Sequence, residues 1–497
     1  MAPYPLNRVD DLVGETIERL VRFHHTRRLR RRGSGEAIDP APDGGWAGTA
    51  AFAPRSGCRV EPFLDGGEAL PRIADAIRSA RSHVHLAGWH FDPSFRLEEE
   101  GQTLRELLAE AAERIDVRVL AWAGAPLPLF HPDRGEVRQA CEELAGGTRI
   151  SLALDARERP FHCHHEKLVV VDDEVAFVGG IDLTALAGDR LDSNEHPRRD
   201  GLGWHDTAVR LEGPVVADVA RHFHSRWHAV GPDGLPEPGG PPPVEGGVEA
   251  QFVRTVPERL YEPWRDGEWS ILESYMRALR AAEKLVYLES QFLWSPEVVF
   301  VLADKLRRPP SDDFRVIALL PSHPNNGADD SRGQVGILID ADKASGGDTP
   351  RFLACTLYQP GPGGNPVYVH SKAAIVDDAW LTIGSANLNE HSLFNDTECN
   401  VVVRDPSLVR EVRLRLWEEH LERPREEIDG DPARIFDELW RPLAEERLER
   451  RRRVSRTTAG SRQTTLNSVS LKSECSFRLA EPIVSHSSST IPIFAWT

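Results

Sequence analysis

Two stretches of the chain place apolar residues at i, i+3, i+4 and i+7: Leu70, Ile73, Ala74 and Ile77, and later Leu272, Tyr275, Met276 and Leu279. That spacing is the stripe of a helix that packs by one face. Each helix runs on into a short apolar stretch, residues 84–87 and 285–288, which predicts a strand. Further apolar runs, Leu168–Val171 and Ala373–Val376, predict a second strand in each region. Asp172-Asp173 and Asp377-Asp378 supply turn chemistry after them, and residues 175–178 and 380–383 return as third strands. Ile77 and Leu279 are 202 positions apart, so one helix-then-strand unit occurs twice. Repetition of that unit predicts an α/β architecture built from two similar halves.

The punctuation of the chain agrees with a division in two. Residues 231–247 hold a dense series of Gly and Pro that can continue neither a helix nor a central strand. They read as a linker between a first half, residues 61–230, and a second, residues 248–430. Residues 1–60 read as an N-terminal extension, with a short helix over 13–23. A basic run follows, from His24 through Arg27, Arg28, Arg30 and Arg31 to Arg32. Such a run suits anionic headgroups, each charge near a membrane surface being worth about 1 kcal/mol, or simple solvation. Residues 431–453 predict a C-terminal helix, and 454–497, rich in Ser and Thr without periodicity, predict a disordered tail.

Composition narrows the function. Hydrophobic residues are 40% and charged residues 28% of 497, which is ample for a packed core. Asp and Glu number 78 against 60 Lys and Arg, a formal net charge of −18. That charge repels polyphosphate, so no stable nucleic-acid partner is expected. The six cysteines form no CxxC pair and suggest neither a zinc ribbon nor a disulfide framework. The first residues show no basic-then-apolar leader, and no run of about eighteen apolar residues occurs. A cytoplasmic protein in peripheral contact with membrane is the expectation.

The chemistry concentrates in one repeated motif. His165-Glu166-Lys167 runs into the first apolar strand and Asp172, with Gly179-Gly180 after it; His370-Ser371-Lys372 runs into the second and Asp377, with Gly384-Ser385 after it. His, Lys, Asp and first Gly recur at one offset of 205 positions, from 165 to 370. On a strand, residues two apart share a face, which would set each imidazole beside an ammonium. The glycines would let bare backbone amides approach whatever those groups hold. Imidazole, ammonium and amide together suit a phosphate. His162-Cys163-His164-His165 could be read as metal ligands, but no complementary ligand group stands at an established spacing. No metal and no cofactor is expected. Trp89, Trp204, Phe292 and Trp294 are equally suited to a pocket wall and to core.

HxKxxxxD followed by Gly-Gly or Gly-Ser, twice in one chain, resembles the phospholipase D superfamily. The likeness extends to Trp204-His205-Asp206, Ser385-Ala386-Asn387-Leu388-Asn389 and Asp396-Thr397-Glu398, and is greatest to the branch that cleaves phosphatidylcholine. One departure is His391 before Ser392, where the family's eukaryotic members commonly have Arg. The resemblance implies a bilobed, pseudo-two-fold α/β fold whose two sandwich halves share one active site. It implies hydrolysis of the distal phosphodiester of a glycerophospholipid at a membrane surface, with water or an alcohol as acceptor. A phosphohistidine would form on His165, with His370 as acid and base. Lys167, Lys372 and Asn387, with Ser385, Gly180 and Asp182 beside them, would bind the phosphate. Asp206 and Glu398 would orient the imidazoles, and Asp172 and Asp377 would be structural. A cardiolipin synthase-like transferase, and more remotely a nuclease, share the same chemistry.

Lysine is rare here: it occupies 6 of the 60 basic positions, and two of the six are Lys167 and Lys372. Arg would serve wherever charge alone suffices, so the compact ammonium itself is expected to matter. Lys167→Arg and Lys372→Arg should each lower kcat on a phosphodiester by at least about tenfold, or ~1.4 kcal/mol. The protein should stay folded by circular dichroism. Near-normal turnover in both would show that the lysines supply charge only.

Overall fold

The computed structural model describes residues 5–50, 52–128, 130–184, 203–322, 330–347, 349–359, 366–461 and 479–482. Two mixed sheets dominate. In the first half the strand order is Ser151–Asp155, Asp116–Trp122, His83–Gly88, Leu168–Val171, Val175–Gly179, Thr207–Glu212 and Arg55–Leu64; the first three are parallel and the rest antiparallel. The second half repeats that order with Phe352–Tyr358, Arg315–Leu319, Leu285–Glu289, Ala373–Val376, Trp380–Gly384, Glu398–Val403 and Val248–Val256. Arg55–Leu64 also pairs with Val248–Val256, so the two sheets are joined edge to edge. This is the α/β fold of two similar halves that the sequence predicts.

The apolar runs of the motif strands follow from burial on both faces, as in a covered sheet. Leu168 and Val170 face a central core, whereas Val169 and Val171 face an outer one. Ala373 and Ile375 alternate with Ala374 and Val376 in the same way. The outer cores are closed by the two helices read from periodicity, Asp65–Ser79 and Ser270–Ala281, whose stripe residues are all buried. The central core gathers strands of both halves around helices Val215–Val230 and Pro406–Leu421, with Phe223, Trp227, Trp417 and Trp440 among its buried rings. One hydrophobic core therefore spans both halves.

Several boundaries differ from the sequence reading. The N-terminal helix is Pro5–Arg31, long enough to swallow most of the basic run. That run is partly docked: His25 lies buried between Glu297 (2.8 Å) and Glu390 (3.1 Å), and Arg28 pairs with Glu258 at 2.6 Å. Leu29 beside them is fully buried. Periodicity on the apolar side alone could not reveal these polar anchors. Strand Arg55–Leu64 begins within the segment read as an extension. The C-terminal helix Arg441–Ser461 passes the compositional break at 454, and Leu479–Pro482 pair with Phe352–Tyr358; the remainder of the tail lies outside the described residues.

Asp172 and Asp377 lie in the turns that leave the motif strands. Both take positive φ in the turn after the motif strand. The Asp377 carboxylate accepts the backbone N–H groups of Glu283, Lys284 and Leu285 at 2.7, 2.8 and 2.7 Å. Asp172 does the same for Arg81, Ser82 and His83 at 2.8, 2.7 and 3.0 Å. Each motif Asp thus pins the strand that enters beside its own. Asp377→Ala strands those donors and should cost about 1–3 kcal/mol of stability, read as a lowered denaturation midpoint with turnover per folded molecule retained. An unchanged midpoint would remove the structural role.

Candidate active site

The motif histidines sit three residues before their strands, not on them: the strands begin at Leu168 and Ala373. What fixes each segment is the opposite half. The N–H groups of His165 and Glu166 both donate to the carbonyl of Thr397, at 2.9 and 3.1 Å, and those of His370 and Ser371 both donate to the carbonyl of His205, at 2.8 and 3.1 Å. Thr397 and His205 immediately precede Glu398 and Asp206. Consequently His165 Nδ1 reaches Glu398 of the other half at 3.0 Å, and His370 Nδ1 reaches Asp206 of the other half at 2.6 Å. Donation through Nδ1 fixes the tautomer and leaves Nε2 for chemistry. Both rings line one cavity of about 400 Å³.

The lysines lie beneath the two rings. Lys167 Nζ donates to the His165 carbonyl at 2.7 Å and pairs with Asp182 at 3.1 Å; Lys372 Nζ donates to the His370 carbonyl. Lys372 is fully buried, and burial pulls its ammonium down to about 7; Asp206 opposes the fall and the charge of Lys167 adds to it. Burial likewise pushes the Asp206 carboxyl up to about 6, against the pull of Lys372. The Asp182 carboxylate, opposite Asn387 in the repeat, is thus the counter-ion of Lys167.

Three expected phosphate contacts are arranged otherwise. The amides of Gly180 and Ser385 are not bare: they donate to the carbonyls of Thr207 and Cys399, both at 2.9 Å. Gly179 and Gly384 amides donate to the Lys167 and Lys372 carbonyls. The glycine at 180 instead makes room, because a Cβ there would stand 2.1 Å from Asp206 Oδ1. At the equivalent position, Ser385 spends its hydroxyl on Glu398. Ser392, seven residues further on, adds a second hydroxyl to Glu398 at 2.6 Å. Asn387 does line the cavity, with Nδ2 on Gln291 Oε1 at 3.3 Å and a buried Oδ1 that accepts no hydrogen bond. Gln291 Nε2 in turn donates to the Tyr368 hydroxyl at 2.9 Å.

Behind the rings stand buried ionic networks that no motif announces. Glu166 accepts from His222 at 2.7 Å and from Arg226, which also binds Asp155 at 2.6 Å. On the other side Glu289 accepts from His205 and His420, each at 3.0 Å, and from Ser371 at 2.5 Å. Burial opposes charge on His205, but Asp65 and Glu289 outweigh it and hold its pKa at about 10. Around the mouth, Trp89, Trp122, Phe130 and Phe161 come from the first half and Phe292 and Trp294 from the second. Trp204 is instead buried, stacked on Tyr368 at 4.8 Å and tilted against His370 at 4.9 Å. Residues 185–202 and 323–329 lie outside the described residues.

A family model described as "Cardiolipin synthase, PLD-like domain" matches residues 328–419. Phospholipase D A of Dictyostelium discoideum is 24% identical over 74% of this chain and 36% of its own length. Phospholipase D2 of Bos taurus is 26% identical over 79% of this chain and 56% of its own. These matches support the phospholipase D superfamily for this chain. It spans between about a third and somewhat over half of those two relatives. In fold it is similar to the crystal structure of phosphatidylserine synthase from Haemophilus influenzae, with a TM-score of 0.51 at 13% identity, over 83% of this chain and 97% of that one.

The lowered pKa of Lys372 sets a pH dependence. Below about 7 the free protein carries the ammonium, and above it the proton is lost. kcat/KM, which reports the free enzyme, should fall above about pH 7 with a soluble phosphodiester. A bound phosphate favours the ammonium, so the alkaline limb of kcat should lie higher. Lys372→Arg, though slower, should lose the limb. A kcat/KM profile flat from pH 6 to about 9 would contradict the assignment.

Proposed function

We propose that the chain is a phospholipase D, cleaving the distal phosphodiester of glycerophospholipids such as phosphatidylcholine to release phosphatidic acid. The observation that carries this reading is the pair of imidazoles, each held through Nδ1 by a carboxylate of the opposite half, at one aromatic-walled cavity. In this reading the Nε2 lone pair of His165 attacks phosphorus and the P–O bond to the headgroup breaks. His370 gives its Nε2 proton to the departing oxygen. His370 then takes a proton from water or an alcohol, whose oxygen displaces His165 and regenerates the free enzyme. Splitting one displacement in two gives ping-pong kinetics. Lys167, Lys372 and Asn387 stabilise the charge that gathers on the nonbridging oxygens.

The surface supports a lipid substrate over a nucleic acid. All six large apolar side chains that stand exposed among the described residues fall in two places. Leu127 and Phe161 border the cavity; Ile17, Leu20 and Phe23 lie on the N-terminal helix, with Phe300 against Arg22. Arg19, Arg27, Arg30 and Arg31 are exposed on that helix, a local basic strip on a protein of net charge −18. Apolar rim and basic strip together suit peripheral contact with an anionic bilayer. Transfer to a second lipid alcohol, as in cardiolipin synthesis, is the alternative that the family-model description favours. Among the described residues, no helix is long and apolar enough to cross a membrane.

Phosphatidylcholine vesicles, with and without a primary alcohol, phosphatidylglycerol vesicles and DNA should be offered to the same preparation. Choline release, diverted to a phosphatidyl alcohol when alcohol is present, is expected. His165→Ala and His370→Ala should each remove at least about 10²–10⁴-fold of activity, and the double variant should be scarcely worse. Cardiolipin from phosphatidylglycerol alone would favour the transferase, and DNA cleavage without choline release would overturn the lipid reading.

A further inference from the structure

The geometry points to a divalent metal site, of the zinc class, formed by His162, His391 and Asp396 in the wall of the cavity. The sequence offers no partner for His162 at a ligand spacing, but the fold supplies two from the opposite half. His391 opens a single helical turn, His391–Asn395, and Asp396 follows it directly. His162 Nδ1 stands 2.9 Å from His391 Nδ1 and 3.3 Å from Asp396 Oδ1. The three ligand atoms all lie within 4.8 Å of one another. Ligands bound tetrahedrally at about 2.0–2.1 Å stand about 3.3 Å apart, so small side-chain shifts would close the site.

A deprotonated imidazole nitrogen and a carboxylate oxygen each offer a lone pair, so a divalent ion would engage all three atoms together. The carboxylate is already positioned for the purpose: Asp396 Oδ1 also accepts the Cys163 N–H at 3.0 Å, the kind of outer contact that orients a ligand. Burial opposes its charge, but His162 and His391 outweigh it and hold the carboxyl at about 2. Two imidazoles and one carboxylate suit zinc better than calcium or magnesium, which prefer all-oxygen shells. All three residues line the cavity that also holds His165 and His370. Three protein ligands leave a fourth position, facing the cavity, for an oxygen of a bound ligand. The site is separate from the two-histidine chemistry, which needs no metal, and it stands whether or not the substrate is a lipid.

Metal-stripped protein should be titrated with zinc by calorimetry and with cobalt by visible absorption, in the absence of substrate. One zinc per chain and a tetrahedral cobalt spectrum are expected. His391→Ala and Asp396→Asn should each weaken binding by at least about a hundredfold. His165→Ala/His370→Ala, which leaves the three ligands in place, should bind as the parent does. His391→Gln, closer in size, guards against a variant that fails to fold, with thermal melting as the check. No stoichiometric uptake, or uptake that survives loss of His391 but not of His165 and His370, would overturn the site. Because the readout is metal binding alone, failure of the phospholipase reading would leave this result intact.

Discussion

The hydrogen bond from an imidazole Nδ1 in one half to a carboxylate in the other occurs twice, His165 to Glu398 and His370 to Asp206, and the rest of the site depends on it. A ring held at Nδ1 has one tautomer and one orientation, so its Nε2 is available at a fixed point. Neither half can orient its own histidine. The backbone enforces the exchange, since the residue before each acid accepts two amides from the segment of the other half's histidine. The shared core beneath, which takes strands from both sheets, keeps the two halves from sliding past one another.

The two sides of the exchange are similar but not identical, and the differences are chemical. Asp206 is short and needs the empty space over Gly180, and its carboxyl is raised by burial. Glu398 is longer and collects hydroxyls from Ser385 and Ser392. Burial disfavours the charged form of a carboxyl, and at Asp206 it outweighs the hydrogen bond from the Thr207 N–H and the charge of Lys372. His165 is therefore backed by a buried carboxylate that takes two hydroxyl hydrogen bonds, and His370 by a carboxyl that burial pushes up to about 6. That division suits a nucleophile on one side and a proton carrier on the other. Lys372, lowered by the same burial, sits on the His370 side.

Much of this was legible in the sequence because it is local or periodic. The stripes of Asp65–Ser79 and Ser270–Ala281, the motif strands and the capping role of Asp172 and Asp377 follow from spacing and turn chemistry within a few residues. The repeat itself announced two equivalent halves. Which acid serves which histidine was not legible, because it depends on two segments more than 160 residues apart meeting in register. The glycines were misread for a related reason: a missing side chain records a close approach without saying what approaches, and here it is Asp206 and a neighbouring strand rather than a ligand. Glu166, Glu289, His222 and Arg226 gave no signal, since a buried ion pair and a solvated surface charge look alike in sequence. The same holds for His25 and Arg28, read as part of an exposed basic run and found against Glu297 and Glu258.

The crossed pairing can be tested directly by histidine-labelled NMR titration of the parent, Glu398→Gln and Asp206→Asn, with the two ring signals assigned from His165→Ala and His370→Ala. Removing a carboxylate's charge withdraws support from the imidazolium it faces and lowers that ring's pKa. The account predicts that Glu398→Gln lowers the pKa of His165 and leaves His370 nearly unmoved, and that Asp206→Asn does the reverse. Each substitution moving the histidine of its own half, or neither moving one, would contradict a single site assembled by exchange between the halves.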